Sequence, residues 1–551
     1  MQVNLQKALT GFALGLVLTT TQAGAHDATP SAAPAAGERL GAVSFAVSCA
    51  STVRADFSRG VALLHNFWYE EATPQFERIV TADPSCAMAH WGIAMSHFHQ
   101  IWDRPNAAGM ASGWREMQAA QATPAKTARE RAYVAALSGF FEPGSADFPS
   151  RIAAYAAAMG KVAQDYPGDV DAAAFHALAL LAAAAPDDTT LAQNRQAMAI
   201  LAPLWRKYPD HPGLLHYITH ACDTPALAAD GLAAARRYGQ VAATGPHSAH
   251  MPGHIFSRLG LWQEDIDSQL ASIKASATAK AHHQSGWMDE FHSYDFLSYA
   301  YLQSGQEDLA KEVAAKSAAE IAHFETMPDM TPDDYMVGMY PYYRAKLPIF
   351  IALETRDWNS ALAIKSKSAA PPNTQTQIYW ARAIAAGHLH LAPRAHGELA
   401  AYDAAIDAIR KSALAYEADT TGAQVRRGEM LAWVAFADGN IDEATRQMRQ
   451  AADLQDRVGQ SEVDIPAREM LADILLEIGR AADALVEYKA SMKSSPNRFN
   501  GLFSAGKAAE AAGDKAGARH YFEAVLKLTP RASASARPEV VYARSFLAKG
   551  A

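Results

Sequence analysis

Three cysteines in 551 residues exclude a disulfide-dense scaffold. Valine, isoleucine and threonine are sparse beside alanine, and no stretch alternates apolar with polar residues, so sheet-based classes drop out and helices are expected almost throughout. Long basic runs are missing and the formal net charge is −9, or −10 once residues 1–25, which carry Lys7 and no acid, are set aside. This balance argues against a nucleic-acid partner. No apolar run reaches the roughly 20 residues of a membrane span, so no transmembrane segment is expected in the mature chain. His-Glu-x-x-His and Gly-x-Ser-x-Gly are absent, which disfavours a standard zinc peptidase and a nucleophile-elbow hydrolase. The stretch from Gly501 to Ala508 imitates a phosphate loop through Gly506 and Lys507, but it lacks the closing hydroxyl residue and reads as helix filler.

What is present begins with an address. Lys7 precedes an apolar run from Ala8 to Leu18, and Ala23-Gly24-Ala25 supplies the small-x-small pattern of a signal-peptidase site. Export to a periplasmic or secreted destination, with cleavage near Ala25, is therefore expected. Residues 26–45 form a leader, Ala- and Pro-rich at its start and expected to be flexible. In an oxidising compartment Cys49 and Cys86, which flank the first helical hairpin, can form a disulfide, the alternative being two buried thiols; Cys222 is left over.

The remaining length is too great for one core, and an internal period resolves that difficulty. Gly479, Ala484, Tyr488 and Pro496 recur 34 residues later as Gly513, Ala518, Phe522 and Pro530. Glycine suits a turn, a small alanine lets two helices approach, an aromatic fills their contact, and proline ends the hairpin. Partial matches run through Gly60, Ala72, Phe76 and Pro84; Ala197, Leu201 and Pro209; Tyr301, Gly305 and Ala310; and Gly439 with Ala444. This register resembles the tetratricopeptide repeat (TPR), and the whole chain resembles exported bacterial TPR proteins without an assigned activity. The resemblance implies an all-α superhelical array, an α-solenoid; a closed α/α toroid is the alternative. We divide the chain into a histidine-rich array over 46–320, a degenerate helical segment over 321–420 and a C-terminal array over 421–551, with matches also weak between about 103 and 165.

Histidine is the unexpected abundance. Nine of the 20 fall between His211 and His292. His216 and His220 are four apart, as are His250 and His254, and the two pairs are offset by one 34-residue repeat. Asp210 reads as the cap of the first helix, with Pro212 in its opening turn, so His216 and His220 share a face. Pro252 threatens the second pair: a helix starting after His250 would separate His250 from His254. By the family resemblance both pairs lie at first-helix positions lining a concave groove. His65 and His99, each followed three residues on by Trp68 and Trp102, together with His247, His292 and Asp295, are further candidates for that lining.

Two explanations stay open. Neutral imidazole is a common transition-metal ligand, so His216, His220, His250 and His254 could hold Zn, Cu, Fe or Ni. Alternatively the histidines line a groove whose ligand is a peptide, a protein or a small polar molecule, with ring nitrogens satisfied by neighbouring groups. The first makes the protein a metalloprotein, a hydrolase or oxidoreductase with its active site in the groove, where Asp289, Glu290 or Asp295 could serve as acid or base. The second makes it a binding scaffold. Tyr340, Tyr342, Tyr343 and Arg344 are weaker ligand-contact candidates in the degenerate middle.

Overall fold

In the computed structural model every regular element among the described residues is helical, from Arg54–His65 to Pro538–Lys549. The structure describes residues 37–549 apart from 102–103, 124, 145, 186–187, 285–287, 327–334, 366–369, 413, 460–462 and 531–536. The export signal, most of the alanine- and proline-rich stretch that follows it, and Trp102 lie outside the described residues. No described helix is long and apolar enough to cross a membrane.

The 34-residue period is visible as hairpin mechanics. Gly479 and Gly513 close their hairpins with φ of 79° and 82°, a backbone region where a Cβ would be strained. Ala484 and Ala518 are wholly buried at the helix contacts, beside Tyr488 and Phe522. Where helices come closest the fit depends on missing side chains: a Cβ on Gly60 would lie 2.7 Å from the Phe76 ring, and one on Gly506 2.6 Å from the Phe522 ring. Hairpins continue through the weakly matching regions, as Ala107–Ala122 with Ala128–Phe141 and Pro372–His388 with Ala392–Arg410. The phosphate-loop imitation lies inside the helix Phe499–Ala511, with the Lys507 ammonium 2.8 Å from Glu510.

Successive helices pack on their sequence neighbours, and the array coils tightly enough that Arg54–His65 touches Pro212–Cys222 and Met288–Gln303 touches Phe499–Ala511. Among the described residues the first and last helices share no substantial packing, so the array is open and the closed toroid is set aside. Two large hydrophobic cores result, one drawing on residues from Leu40 to Ala279 and the other on residues from Trp262 to Ala543. The helix Trp262–Ala281 contributes to both, through Ala279 to the first and through Trp262 and Ile266 to the second. The sulfurs of Cys49 and Cys86 are at bonding distance, 1.89 Å, tying the segment before the first hairpin to the turn after it.

Two local expectations are corrected. Asp210 does not cap the helix Pro212–Cys222: His211 does, accepting from the Leu214 N–H at 3.4 Å, while Asp210 pairs with Arg237. Pro252 does not separate His250 from His254. It opens the helix Pro252–Arg258, but Met251 keeps helical dihedrals of φ −53° and ψ −35°, so the turn from Pro246–His250 carries through and the proline sits where its missing N–H is tolerated.

The second core encloses charge. Arg498, 1% exposed, donates to Glu469 at 2.9 Å, to Glu354 at 2.8 Å and to the Asp464 carbonyl at 3.2 Å, and also contacts the Tyr299 hydroxyl. Nearby, Glu429 accepts from the Trp380 indole at 2.7 Å; burial, followed by repulsion from Asp464, pushes its carboxyl up to about 8. A carboxyl that titrates higher folded than unfolded keeps the extra proton only in the folded state. Its stabilising contribution is complete below about 4.5, the ordinary value, and is lost as pH rises through about 8. Unfolding by urea at pH 5.5 and 8.5 should therefore show Glu429→Gln losing less stability with rising pH than the native chain, by an amount on the order of a few kcal/mol. Equal losses in the two proteins would refute this assignment.

Candidate metal centre

Three short stretches bring six imidazoles together. The helix Pro212–Cys222 presents His216 and His220 one turn apart, the stretch 246–258 presents His247, His250 and His254, and Met288–Gln303 presents His292. They form two triads, each with its ligand atoms within 4.8 Å of one another: His216, His220 and His247, and His250, His254 and His292. The expected quartet of His216, His220, His250 and His254 is thus divided between two clusters, one completed by His247, which was also a possible additional ligand, and the other by His292. The triads are neighbours, the His247 and His250 rings lying 6.3 Å apart between centroids.

Second partners fix the direction of the rings. His216 donates from Nδ1 to the His65 carbonyl at 2.6 Å, which turns its Nε2 toward His220 at 3.0 Å and His247 at 3.2 Å. Gln269 gives its amide N–H to Asp265 at 2.8 Å, so its carbonyl faces His250 and takes the Nδ1 proton at 2.6 Å. Asp223 accepts from His254 Nδ1 at 2.8 Å and from Arg258 at 2.9 Å. His292 Nδ1 faces the Tyr343 hydroxyl at 3.5 Å. Carboxylate or carbonyl acceptors on the far ring nitrogen are the arrangement that orients metal-binding imidazoles.

The consequence is sharpest between His250 and His254. With both Nδ1 atoms committed as donors, the two Nε2 atoms meet at 2.9 Å as lone pair against lone pair. Burial and the neighbouring histidines hold His216 and His250 well below the usual histidine range, and burial with His247 and His254 lowers His220 to about 3. These rings are neutral at ordinary pH, the form that binds metal.

The site is not an open groove. His216 and His250 are fully buried, His247, His254 and His292 nearly so, and His220 alone among the six is partly exposed. The first hairpin turn fills the concavity: Phe67, held at φ 56°, stacks on His247 and His220 and meets the edge of His216. Asn66 beside it donates to the Leu40 carbonyl and accepts from Tyr238, both at 2.9 Å. Close coiling packs the start of the helix Pro212–Cys222 tightly, since a Cβ on Gly213 would clash with the His65 ring.

The other candidates have different places. His65 is buried rather than groove-lining, its two ring nitrogens 3.0 Å from Asp171 and 2.9 Å from the Tyr217 hydroxyl, with His211 also on Asp171. Its carbonyl orients His216. His99 is half-buried, stacked on Tyr69 at 4.6 Å and bonded to the Ser96 carbonyl. Asp295 is buried and forms an ion pair with Lys346 at 2.5 Å, so it faces a cation rather than the imidazoles' lone pairs. Glu290 pairs with Lys280 and receives the Tyr294 hydroxyl, and the Asp289 side chain lies outside the described residues. Cys222 is buried against Met198, which pushes its thiol up to about 12, away from the thiolate a metal requires. Reading the sequence missed Asp223 and Gln269 as orienting residues; no pattern in the chain marks Gln269, whereas Asp223 does follow the His216-x-x-x-His220 turn directly.

No family model matches the chain, and no curated protein matches it. Solved structures of low sequence identity are similar to it. It is similar to the solved P58(IPK) TPR domain at 13% identity, covering 84% of this chain and 99% of that one with a TM-score of 0.22. It is also similar to a monomeric mutant of IFIT1 with m7Gppp-AAAA, at 10% identity over 88% of this chain and 96% of that one with a TM-score of 0.35. Yeast Tom70 matches at 10% identity over 90% of this chain and 96% of that one, with a TM-score of 0.32. Likeness at this level transfers no ligand and no reaction to the present chain.

Proposed function

We propose that this protein is an exported helical-repeat scaffold that holds transition-metal ions at two buried imidazole triads, His216/His220/His247 and His250/His254/His292. The observation that carries this reading is the 2.9 Å contact of His250 Nε2 with His254 Nε2 while both Nδ1 atoms donate elsewhere. A metal ion accepts both lone pairs and removes the repulsion. Three imidazoles per ion leave a coordination position for a further ligand, as in catalytic sites, which supports a hydrolase or oxidoreductase role for the centre. The surrounding hairpins supply surfaces for protein or peptide partners. Export is supported by the leader and by the Cys49–Cys86 pairing.

Metal analysis of the purified mature protein, followed by titration with Zn, Cu, Ni and Fe, tests the centre. His220→Ala and His254→Ala should each weaken binding by about tenfold or more, about 1.4 kcal/mol, in the triad that loses the ligand. His396→Ala, which removes an exposed ring paired with Asp438, is the control and should leave affinity unchanged. Absence of stoichiometric metal, or native affinity in both triad variants, would return the six histidines to a purely structural role.

A further inference from the structure

We infer that the two triads form one dinuclear copper centre, resting as a pair of Cu(I) ions and binding dioxygen between them. The inference rests on the metal reading above and adds the identity, number and reactivity of the ions.

The argument begins with charge. All six ligands are neutral imidazoles; no thiolate or carboxylate belongs to either triad. The surrounding carboxylates already have cations of their own: Asp223 is bound by Arg258 at 2.9 Å, and Asp295 by Lys346 at 2.5 Å. Asp265, buried and bonded to Gln269, is pushed far up toward its neutral form by loss of solvent. Among the described residues, the carboxylates Asp223, Asp265 and Asp295 are thus compensated and leave little negative charge to balance what the triads take in. A divalent ion in each would place four positive charges on adjacent buried clusters, and desolvated like charges at such range repel strongly. Monovalent ions halve the charge on each cluster and reduce their mutual repulsion about fourfold. Among first-row metals that bind imidazole, copper has an accessible monovalent state, and it stands at the head of the divalent affinity order as well.

The spacing then matters. His247 and His250 are separated by three positions on one helical stretch and belong to different triads, with ring centroids 6.3 Å apart. Two ions held this close can act on one small molecule. Dioxygen accepts one electron from each Cu(I): two Cu(I) and one O2 become two Cu(II) and one bound peroxide dianion, with a Cu–O bond formed to each copper and the O–O bond reduced from double to single. No proton is needed and no atom leaves. The total charge is +2 before and after, so the buried pocket meets no new charge when the ligand binds. His220 is the partly exposed member, and Phe67 stacks across His220 and His247.

The full mature protein is loaded anaerobically with Cu(I), freed of excess metal and mixed with O2-saturated buffer. The expected result is two coppers per chain, uptake of one O2 for each pair, a new near-ultraviolet absorption band and no paramagnetic Cu(II) signal, because the paired Cu(II) spins cancel. His220→Ala and His292→Ala, with helix content checked by circular dichroism, should each reduce loading to one copper and abolish O2 uptake. Two coppers per chain without O2 uptake, an isolated Cu(II) signal after oxidation, or a single ion per native chain would overturn the dinuclear inference while leaving metal binding intact. A chain that takes up no stoichiometric ion of any kind would overturn both.

Discussion

Protein held at a free metal concentration a thousandfold above the dissociation constant of each triad should be more stable than the same protein treated with a chelator by about 4 kcal/mol for each triad filled, or about 8 kcal/mol for both. A metal held by the triads would bind a constellation that exists only in the fold, so its binding free energy would add to folding free energy. The effect should concentrate at the junction of the two cores, where Pro212–Cys222, the stretch 246–258 and Met288–Gln303 meet. Urea unfolding with and without metal measures the increment, and hydrogen exchange locates it. The double variant His216→Ala/His254→Ala should show a smaller increment, by about 1.4 kcal/mol or more for each triad, since each triad has lost a ligand. Coincident unfolding curves for the native chain at that metal excess would mean that the triads bind nothing of consequence.

The second large effect belongs to the C-terminal core. Arg498→Met should cost about 3–5 kcal/mol at pH 8, the range for removing one partner from a buried ionic group. The reason lies in how many segments one guanidinium joins: Tyr299, Glu354, Asp464 and Glu469 all reach it, from widely separated parts of the chain. Without the cation, Glu354 and Glu469 face each other with less compensation. Both are already shifted upward by burial, Glu354 to about 7, so acid should protonate them and shrink the deficit of the variant relative to the native chain. Denaturant midpoints at pH 5.5 and pH 8 decide the matter. A loss below about 1 kcal/mol at pH 8, or a deficit that grows in acid, would show that the buried charges are not held in this way.

Legibility in the sequence follows the range of the interactions concerned. Hairpin repeats are local, and Gly479, Ala484 and Tyr488 announce them because each residue type answers a need within one hairpin. The pairs His216/His220 and His250/His254 were readable for the same reason, since four-residue spacing on a helix is a local fact. Their partition into triads was not readable. It depends on His292, brought in by a later helix, and on His247, which lies one turn before His250 yet points to the other cluster. Burial was also hidden: Phe67 reaches over the rings only by adopting a left-handed backbone conformation that its residue type rarely takes, so nothing in its identity foretells it. The cap at His211 in place of Asp210 is a smaller case, in which a distant arginine, Arg237, claims the better capping residue.

The five-residue helix Pro246–His250 carries one histidine of each cluster, and this gives the chain a mutational grammar. Changes at His216, His220, His254 or His292 alter one triad at a time, and pairs drawn from opposite triads should combine nearly independently where they share no partner. Changes within 246–250 have no such freedom. Tilting that short splint moves His247 and His250 together, so a substitution that improves one cluster is felt at the other. The segment is therefore the place where inherited variation in this protein is most constrained to be coordinated, and where a designer wishing to separate the two clusters must first rebuild the backbone.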